Sequence, residues 1–429
     1  MNVGAAEVDI TPDFEVELCG FAARTQPAVG VLEPIFARAL YLDDGNERLL
    51  WIVCDVVALG RELVEGFRAW AKSTLGLESR QVLLCATHTH SAPATIPLNA
   101  AGQYSDRYVR FLRFHLEGVA REGMRRPRPC RFIRGRSGCS TGVDRRRKGS
   151  SHVDHNLWTL AFADAAEKTD DLVAVAMNYP MHPVALGSGE RRISPDWCGA
   201  AAGKIYDCVP GRPVVLVTNG AAGNINPWQM DVAPERVRQM GEILGTSSVR
   251  ALAGPRRPDL SDATLAIKSV TIPLPLDVLD DAGIDAAAEA FAARFAPGHP
   301  WAAKGEAVGA TWRESMKRTI ASPDGGGETP IEIQAIRIGD VRVVAVNGEV
   351  FSRFTELVRK GTTADLFVVG YANAAFGYIP TRAAYAEGGY EVDEAHFFYN
   401  SFRPKPGGLE MLADRAIEVV RSLDDQAVR

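Results

Sequence analysis

Several short stretches of this chain are almost purely apolar, and they leave few choices of fold. Leu49–Val57, Gln81–Ala86, Leu172–Tyr179, Val214–Thr218 and Val341–Val346 are rich in Val, Leu, Ile and Ala and too short for typical helices. Such runs read as strands in a covered sheet. Further strand-like runs are Ala39–Leu42, Leu157–Phe162, Leu265–Ile272, Ile331–Ile338 and Leu366–Tyr371. Between them lie the helical patterns Arg61–Leu75, Asp106–Arg125, Asp196–Val209, Pro234–Leu252, Ile284–Phe295, Phe351–Lys360 and Leu409–Leu423. This alternation argues for an α/β fold. Gly339-Asp340, between two strand runs, is a favoured two-residue hairpin turn, so the sheets are expected to be mixed rather than purely parallel, with helices flanking them.

Gly254–Asp262 and Pro297–Pro330 read as surface loops, and 254–330 as a possible insertion. The chemically suggestive residues lie on both sides of it. The expectation is therefore one catalytic domain over residues 1–429.

Composition narrows the function. With 429 residues, 46% hydrophobic and 24% charged, the chain has ample material for a large core. A formal net charge of -5 argues against a general nucleic-acid binder. No run approaches the roughly 20 apolar residues that would span a bilayer, so no integral membrane association is expected. Met1-Asn2-Val3-Gly4 leads straight into what reads as folded sequence, without the pattern of a signal peptide. The seven cysteines are odd in number and form no CxxC pair. Free buried thiols in a reducing cytoplasm account for them.

What ends the apolar runs is more informative. Gln81–Ala86 is followed by Thr87-His88-Thr89-His90-Ser91, and residues two apart on an extended strand share a face. Leu172–Tyr179 leads into Pro180-Met181-His182-Pro183, and Val341–Val346 into Asn347-Gly348-Glu349. Strand ends are where α/β proteins place ligands. Two histidines and a carboxylate so placed form a catalytic zinc set with a position left for water. Zinc would bring the pKa of that water towards neutrality and polarise a carbonyl. The competing reading gives one core histidine, one surface histidine and a helix-capping Glu349.

Thr218-Asn219-Gly220-Ala221-Ala222-Gly223-Asn224-Ile225-Asn226-Pro227 follows another strand and lacks the ending of a nucleotide-binding loop. Its N–H groups and the side chains of Asn224 and Asn226 are candidates to cradle an oxyanion. The basic run Arg145-Arg146-Arg147-Lys148 reads as a solvated loop or as the source of one arginine reaching into a site. Of the other histidines, His115 belongs to a helical pattern, His299 and His396 to loops, and His152 and His155 to a polar loop.

Taken in order, these motifs resemble the catalytic domain of the neutral/alkaline non-lysosomal ceramidases. The resemblance runs through Val3-Gly4, Val8-Asp9-Ile10-Thr11-Pro12, Gly20-Phe21-Ala22, Ala37-Arg38-Ala39, His88-Thr89-His90-Ser91-Ala92-Pro93, His182-Pro183, Thr218 to Pro227, Gly348-Glu349 and Gly370-Tyr371-Ala372-Asn373 to Tyr378-Ile379. Each piece is weak alone; the ordered series covers most of the chain. The family's enzymes are zinc amidases that cleave ceramide. The resemblance implies Zn2+ held by His88, His182, Glu349 and Tyr378. It moves His90 off the metal and towards the substrate carbonyl. It places Arg145 in the active site, and it expects a substrate-facing tyrosine for which Tyr385 and Tyr390 both qualify; Tyr390 is carried as the candidate.

Two departures matter. Where the family has a serine proposed as nucleophile, this chain has Asn226, and an amide is no nucleophile in this chemistry. Zinc-bound water is then the expected attacking group, with Asn226 and Asn224 stabilising charge. The family also carries a secretion signal and a C-terminal β-rich domain, neither of which is seen in this sequence. The expectation is a cytoplasmic zinc hydrolase acting on a small polar amide, ester or lactone rather than ceramide. Two alternatives stand: a metal-dependent lyase or isomerase working through an enolate with His90 as base, and a non-catalytic binding homologue that has lost its nucleophile.

Overall fold

The structure is a computed structural model that describes residues 1–146, 152–166, 171–253, 263–295, 302–362 and 365–425. Among the described residues, twelve strands make the two larger sheets. In chain order they are β1 (Asn2–Asp9), β2 (Phe36–Asp43), β3 (Arg48–Cys54), β4 (Val82–Ala86), β5 (Arg128–Gly138), β6 (Asn156–Asp164), β7 (Leu172–Tyr179), β8 (Val214–Asn219), β9 (Leu265–Pro275), β10 (Glu328–Ile338), β11 (Val341–Val346) and β12 (Asp365–Val369). The larger sheet runs β8-β7-β6-β5-β1-β2-β3-β4 and the smaller β9-β10-β11-β12. Both are mixed. β8 pairs parallel with β7, β4 with β3, and β12 with β11, whereas the remaining neighbours are antiparallel. The Gly339-Asp340 hairpin joins β10 to β11, with Ile338 facing Val341.

Pleating explains the apolar runs. On β3, Leu49, Trp51 and Val53 point into one core, and Leu50, Ile52 and Cys54 into another. The first core lies between the two sheets, where Trp51, Trp158 and Phe162 meet Val343, Ala345, Phe367 and Val369. The second lies under α1 (Arg61–Leu75), α2 (Asp106–Arg125), α3 (Trp197–Cys208) and α4 (Pro234–Ala253). The smaller sheet is likewise covered on its outer face, where Val344 and Val346 meet α7 (Arg353–Gly361) and α8 (Gly408–Asp425). The result is four layers, helix–sheet–sheet–helix, with central strands apolar on both faces.

The expected surface loop Pro297–Pro330 is mostly regular structure. After α5 (Asp281–Ala293), residues Ala302–Ile320 form helix α6, and β10 begins at Glu328. The buried face of α6 is Gly305, Val308, Gly309, Trp312 and Met316. Glycines stand where apolar side chains would have signalled a helix. A Cβ on Gly305 would lie 2.4 Å from the Phe295 ring, and one on Gly309 3.0 Å from the Ala288 carbonyl oxygen. Close approach to α5 therefore selects the residues that hide the helix from its sequence. The other expected loop, Gly254–Asp262, lies outside the described residues, as do His299, Arg147 and Lys148.

β1 and β5 are also additions to the sequence reading. β1 is Ala- and Gly-rich because α2 lies against it: a Cβ on Gly4 would sit 1.9 Å from the Gly123 carbonyl oxygen. β5 carries four arginines and so lacks an apolar run. No helix among the described residues is long and apolar enough to cross a membrane. All seven cysteines are free thiols, and only Cys208 is exposed.

Trp51 is fully buried between the sheets, its ring stacked at 6.5 Å on Phe367. Trp51→Ala is expected to lower unfolding free energy by about 3–5 kcal/mol, as large-to-small changes in a close-packed core do. Equilibrium urea denaturation measures it, and a loss below about 1 kcal/mol would contradict the inter-sheet core.

Candidate metal and active site

The segments that leave the strands converge at one end of the sandwich. His88 follows β4, His182 follows β7, and Glu349 and Tyr378 face each other in a short parallel ladder formed by Glu349–Val350 and Tyr378–Ile379. The two sheets are tied together here. The Ala86 N–H donates to the Tyr371 carbonyl at 3.1 Å, and that of Gly370 to the Asn219 carbonyl at 3.0 Å. The Asn373 N–H donates to the Leu84 carbonyl at 2.6 Å.

The donor atoms of these four residues meet. Glu349 Oε2 is 3.1 Å from His182 Nε2 and 3.3 Å from His88 Nε2. Tyr378 Oη lies 3.4 Å from His182 Nε2. His90 Nε2 is 3.2 Å from His88 Nε2, and the three imidazoles form a compact group able to hold a metal ion. Zinc with ligands at about 2.0–2.1 Å in a tetrahedron has its donors about 3.3 Å apart, which is this spacing.

The tautomers also suit a metal. His88 Nδ1–H donates to the Val57 carbonyl at 2.6 Å and His182 Nδ1–H to the Ile225 carbonyl at 3.1 Å. A carbonyl only accepts, so both Nε2 lone pairs face the centre, the arrangement that backbone carbonyls impose on metal-ligating histidines. His90 differs: among the described residues its Nδ1 is buried without a partner. His88 adopts the left-handed backbone conformation at φ 72°, a strained state for a non-glycine residue. The Tyr371 ring stacks on its imidazole at a centroid distance of 4.0 Å.

Charge is tuned in the same direction. Burial, with Arg145 nearby, holds His182 down to about 4, and burial next to His88 and His182 holds His90 well below 6.5. Burial alone would raise Glu349, but His88 and His182 more than offset it and pull the carboxyl well below 4.5. Burial drives the Tyr378 phenol well above 10. Near neutral pH the cluster is therefore one carboxylate, neutral His90 and His182 rings and a neutral phenol.

Beside the donors lies a cavity of about 380 Å³, lined among others by Phe21, His88, His90, Arg145, Asn226, Glu349, Tyr378, Tyr390, Phe398 and Tyr399. Tyr390, with its ring 5.7 Å from that of Tyr378, is on this wall. Tyr385 is not: its hydroxyl donates to the Pro404 carbonyl at 2.5 Å. Arg145 is in the site, but its guanidinium is engaged by protein, donating to Glu391 at 2.7 Å, Gly223 O at 2.8 Å and Asn226 Oδ1 at 3.2 Å. Burial works against its charge, while Tyr378 and Glu391 raise its pKa on balance.

The Gly-rich loop is less of a cradle than its composition suggests. Gly220, Gly223 and Ile225 donate their N–H groups to Tyr179, Val350 and Ala222. Asn224 does not line the cavity; its side chain donates to Asp144 at 2.9 Å and accepts from the Ser352 N–H at 2.8 Å. It holds the loop in place, away from the cavity. Asn226 does line the cavity, with Nδ2 directed at Met230 Sδ at 3.0 Å. Outside the site, His152 approaches Glu356 at 3.1 Å, and His155 pairs with the Cys139 carbonyl at 3.1 Å.

Tyr399 is the site residue that sequence reasoning missed. Its hydroxyl donates to Glu349 Oε1. It follows a short helix, Ala395–Phe398, rather than a strand, so no strand-end signal marks it.

The comparisons agree with this architecture. Residues 1–106 match the family model for neutral/alkaline non-lysosomal ceramidase, N-terminal. The neutral ceramidase of Pseudomonas aeruginosa is 23% identical over a 467-residue alignment that covers 90% of this chain and 68% of that protein. The crystal structure of the Pseudomonas aeruginosa neutral ceramidase superposes with a TM-score of 0.74 at 19% identity, covering 98% of this chain and 75% of that one. A ceramidase complexed with C2 superposes with a TM-score of 0.76 at 17% identity, covering 99% and 75%. The chain has the mixed-sheet ceramidase fold. Its first 106 residues are similar to the N-terminal part of the neutral/alkaline non-lysosomal ceramidases, and 90% of its length aligns with a neutral ceramidase.

Gly223 is where the loop presses on the segment that carries Glu349: a Cβ there would lie 2.3 Å from the Glu349 carbonyl oxygen. Gly223→Ala is expected to cost about 1–3 kcal/mol, as overpacking does, by pushing Glu349 off its position. Differential scanning calorimetry checks it; an unchanged thermal midpoint would contradict the close approach.

Proposed function

We propose that this protein is a zinc-dependent hydrolase that adds water to the carbonyl carbon of a small polar amide, ester or lactone and cleaves its acyl C–N or C–O bond. The observation that carries the reading is the convergence of His88, His182, Glu349 and Tyr378 donors at 3.1–3.4 Å spacings beside a cavity of about 380 Å³. That volume is at the small end of the roughly 300–1,000 Å³ typical of small-molecule sites, which favours a compact substrate over a two-chain lipid. Site residues on both sides of 254–330 support reading residues 1–429 as one catalytic unit, and seven unpaired thiols support a reducing, cytoplasmic setting.

His88, His182, Glu349 and Tyr378 would hold the ion. When bound, zinc supplies Lewis acidity, polarising a carbonyl and making water a competent nucleophile near neutral pH. The chain's own groups do the rest. His90, with Nδ1 unpartnered, is free to carry its proton on Nε2 and donate it to the oxygen that gains charge. Asn226 offers a second donor from the loop. Arg145 positions Asn226 by donating to its Oδ1, and this fixed amide replaces any role for a nucleophilic side chain at position 226. Tyr390 and Phe398 form the wall that excludes water and takes the apolar part of the substrate.

Purified protein is expected to bind one zinc ion per chain by mass-spectrometric metal analysis. His88→Ala and Glu349→Gln should lose most of it, while His90→Ala should keep it and lose activity. Zinc retention by His88→Ala would refute the ligand assignment. Turnover in ¹⁸O-labelled water should place the label in product, which a lyase or isomerase would not do. Asn226→Ala is expected to lower kcat by about 10²-fold with little change in KM, the loss seen when one oxyanion donor is removed. An unchanged kcat would take Asn226 out of the mechanism.

A further inference from the structure

We infer that Tyr399 is a positioning residue that keeps Glu349 a one-oxygen ligand, an inference that rests on the metal reading above. The two carboxylate oxygens of Glu349 have different neighbours. Oε2 faces His88 Nε2 at 3.3 Å and His182 Nε2 at 3.1 Å. Oε1 accepts a hydrogen bond from the Tyr399 hydroxyl. A carboxylate with both oxygens free can swing to bind an ion through both and fill the position that substrate or water needs. A phenol donating to one oxygen holds that oxygen away and leaves the other to the donor cluster. Such outer partners of metal ligands orient them and tune their basicity.

The structure seats Tyr399 for this task. Its ring lies against Gly377, the residue before Tyr378: a Cβ on Gly377 would sit 3.1 Å from Tyr399 Cγ. Gly377 has φ +129°, a conformation that side chains rarely adopt, so bare backbone is favoured there twice over. The Tyr399 ring meets that of Tyr378 edge-on at 6.3 Å. The Gly377 carbonyl in turn accepts the Glu349 N–H at 2.7 Å. One aromatic ring thus spans the two segments that pair Glu349 with Tyr378, and its hydroxyl reaches the carboxylate from the cavity side.

The test is Tyr399→Phe, which keeps the ring and removes only the hydroxyl. Zinc affinity, measured by competition with a chromophoric chelator, should fall about 10–100-fold, the usual cost of losing an outer partner. The Co2+-substituted variant should show a weaker visible absorption than Co2+-substituted wild type, because a carboxylate bound through both oxygens raises the coordination number. The thermal midpoint of the metal-free protein should stay at the wild-type value, which a merely structural residue would not allow. Affinity within about threefold of wild type together with an unchanged cobalt spectrum would overturn the role of Tyr399 while leaving the metal site standing. Failure of the wild-type protein to take up zinc or cobalt would overturn both.

Discussion

A carboxylate that is only 3% exposed cannot be left alone, and much of the site follows from burying Glu349. Removing an ionised group from water costs several kcal/mol unless charge and hydrogen bonds replace the lost hydration. Here a phenol donates to one oxygen, and the other faces two imidazole lone pairs across a gap sized for a cation. The imidazoles need their own orientation fixed, so their Nδ1 atoms are spent on the carbonyls of Val57 and Ile225. Those carbonyls belong to chain segments that leave the large sheet, which ties the chemistry of the cluster to the geometry of the strands.

The four-layer build is what makes such a burial feasible. Two sheets stacked face to face bring the ends of β4, β7 and β11 to one edge. Bonds such as Ala86 N–H to Tyr371 O and Gly370 N–H to Asn219 O lock the edges together. Loops attached to this rigid edge carry the clustered donors, and the cavity opens beside them. The Gly-rich loop contributes less by its backbone than by its thinness: Gly223 lets it lie against Glu349, and Asn224 anchors it to Asp144 and Ser352. Asn226, standing where the resembling family has serine, reaches the cavity while Arg145 holds its amide.

Much of this was legible before any tertiary information. The helices Arg61–Leu75 and Asp106–Arg125 and the strands Leu172–Tyr179 and Val341–Val346 fall at the residues the pattern marks, because each has a face or pair of faces whose burial dictates its composition. His88, His182 and Glu349 stood out because each ends such a run. β1, β5 and α6 did not, for a shared reason. Their packing uses glycine, alanine or paired arginine instead of large apolar side chains, and pattern reading counts only the latter. Tyr385 and Tyr390 could not be separated by position in sequence; one turns its hydroxyl to Pro404 and the other faces the cavity.

The amino-acid order alone determined the layer class, the strand ends that matter and three of the four donors, because hydrophobic periodicity is local and is written into neighbouring residues. Tertiary structure decided which oxygen of Glu349 meets which imidazole, that Asn224 serves the loop and Asn226 the cavity, and that Tyr399 belongs to the site. Those contacts join groups far apart in the chain, as with His182 and Glu349, 167 positions apart. Their geometry comes from how two sheets stack and where glycines permit close approach, and no local pattern records either.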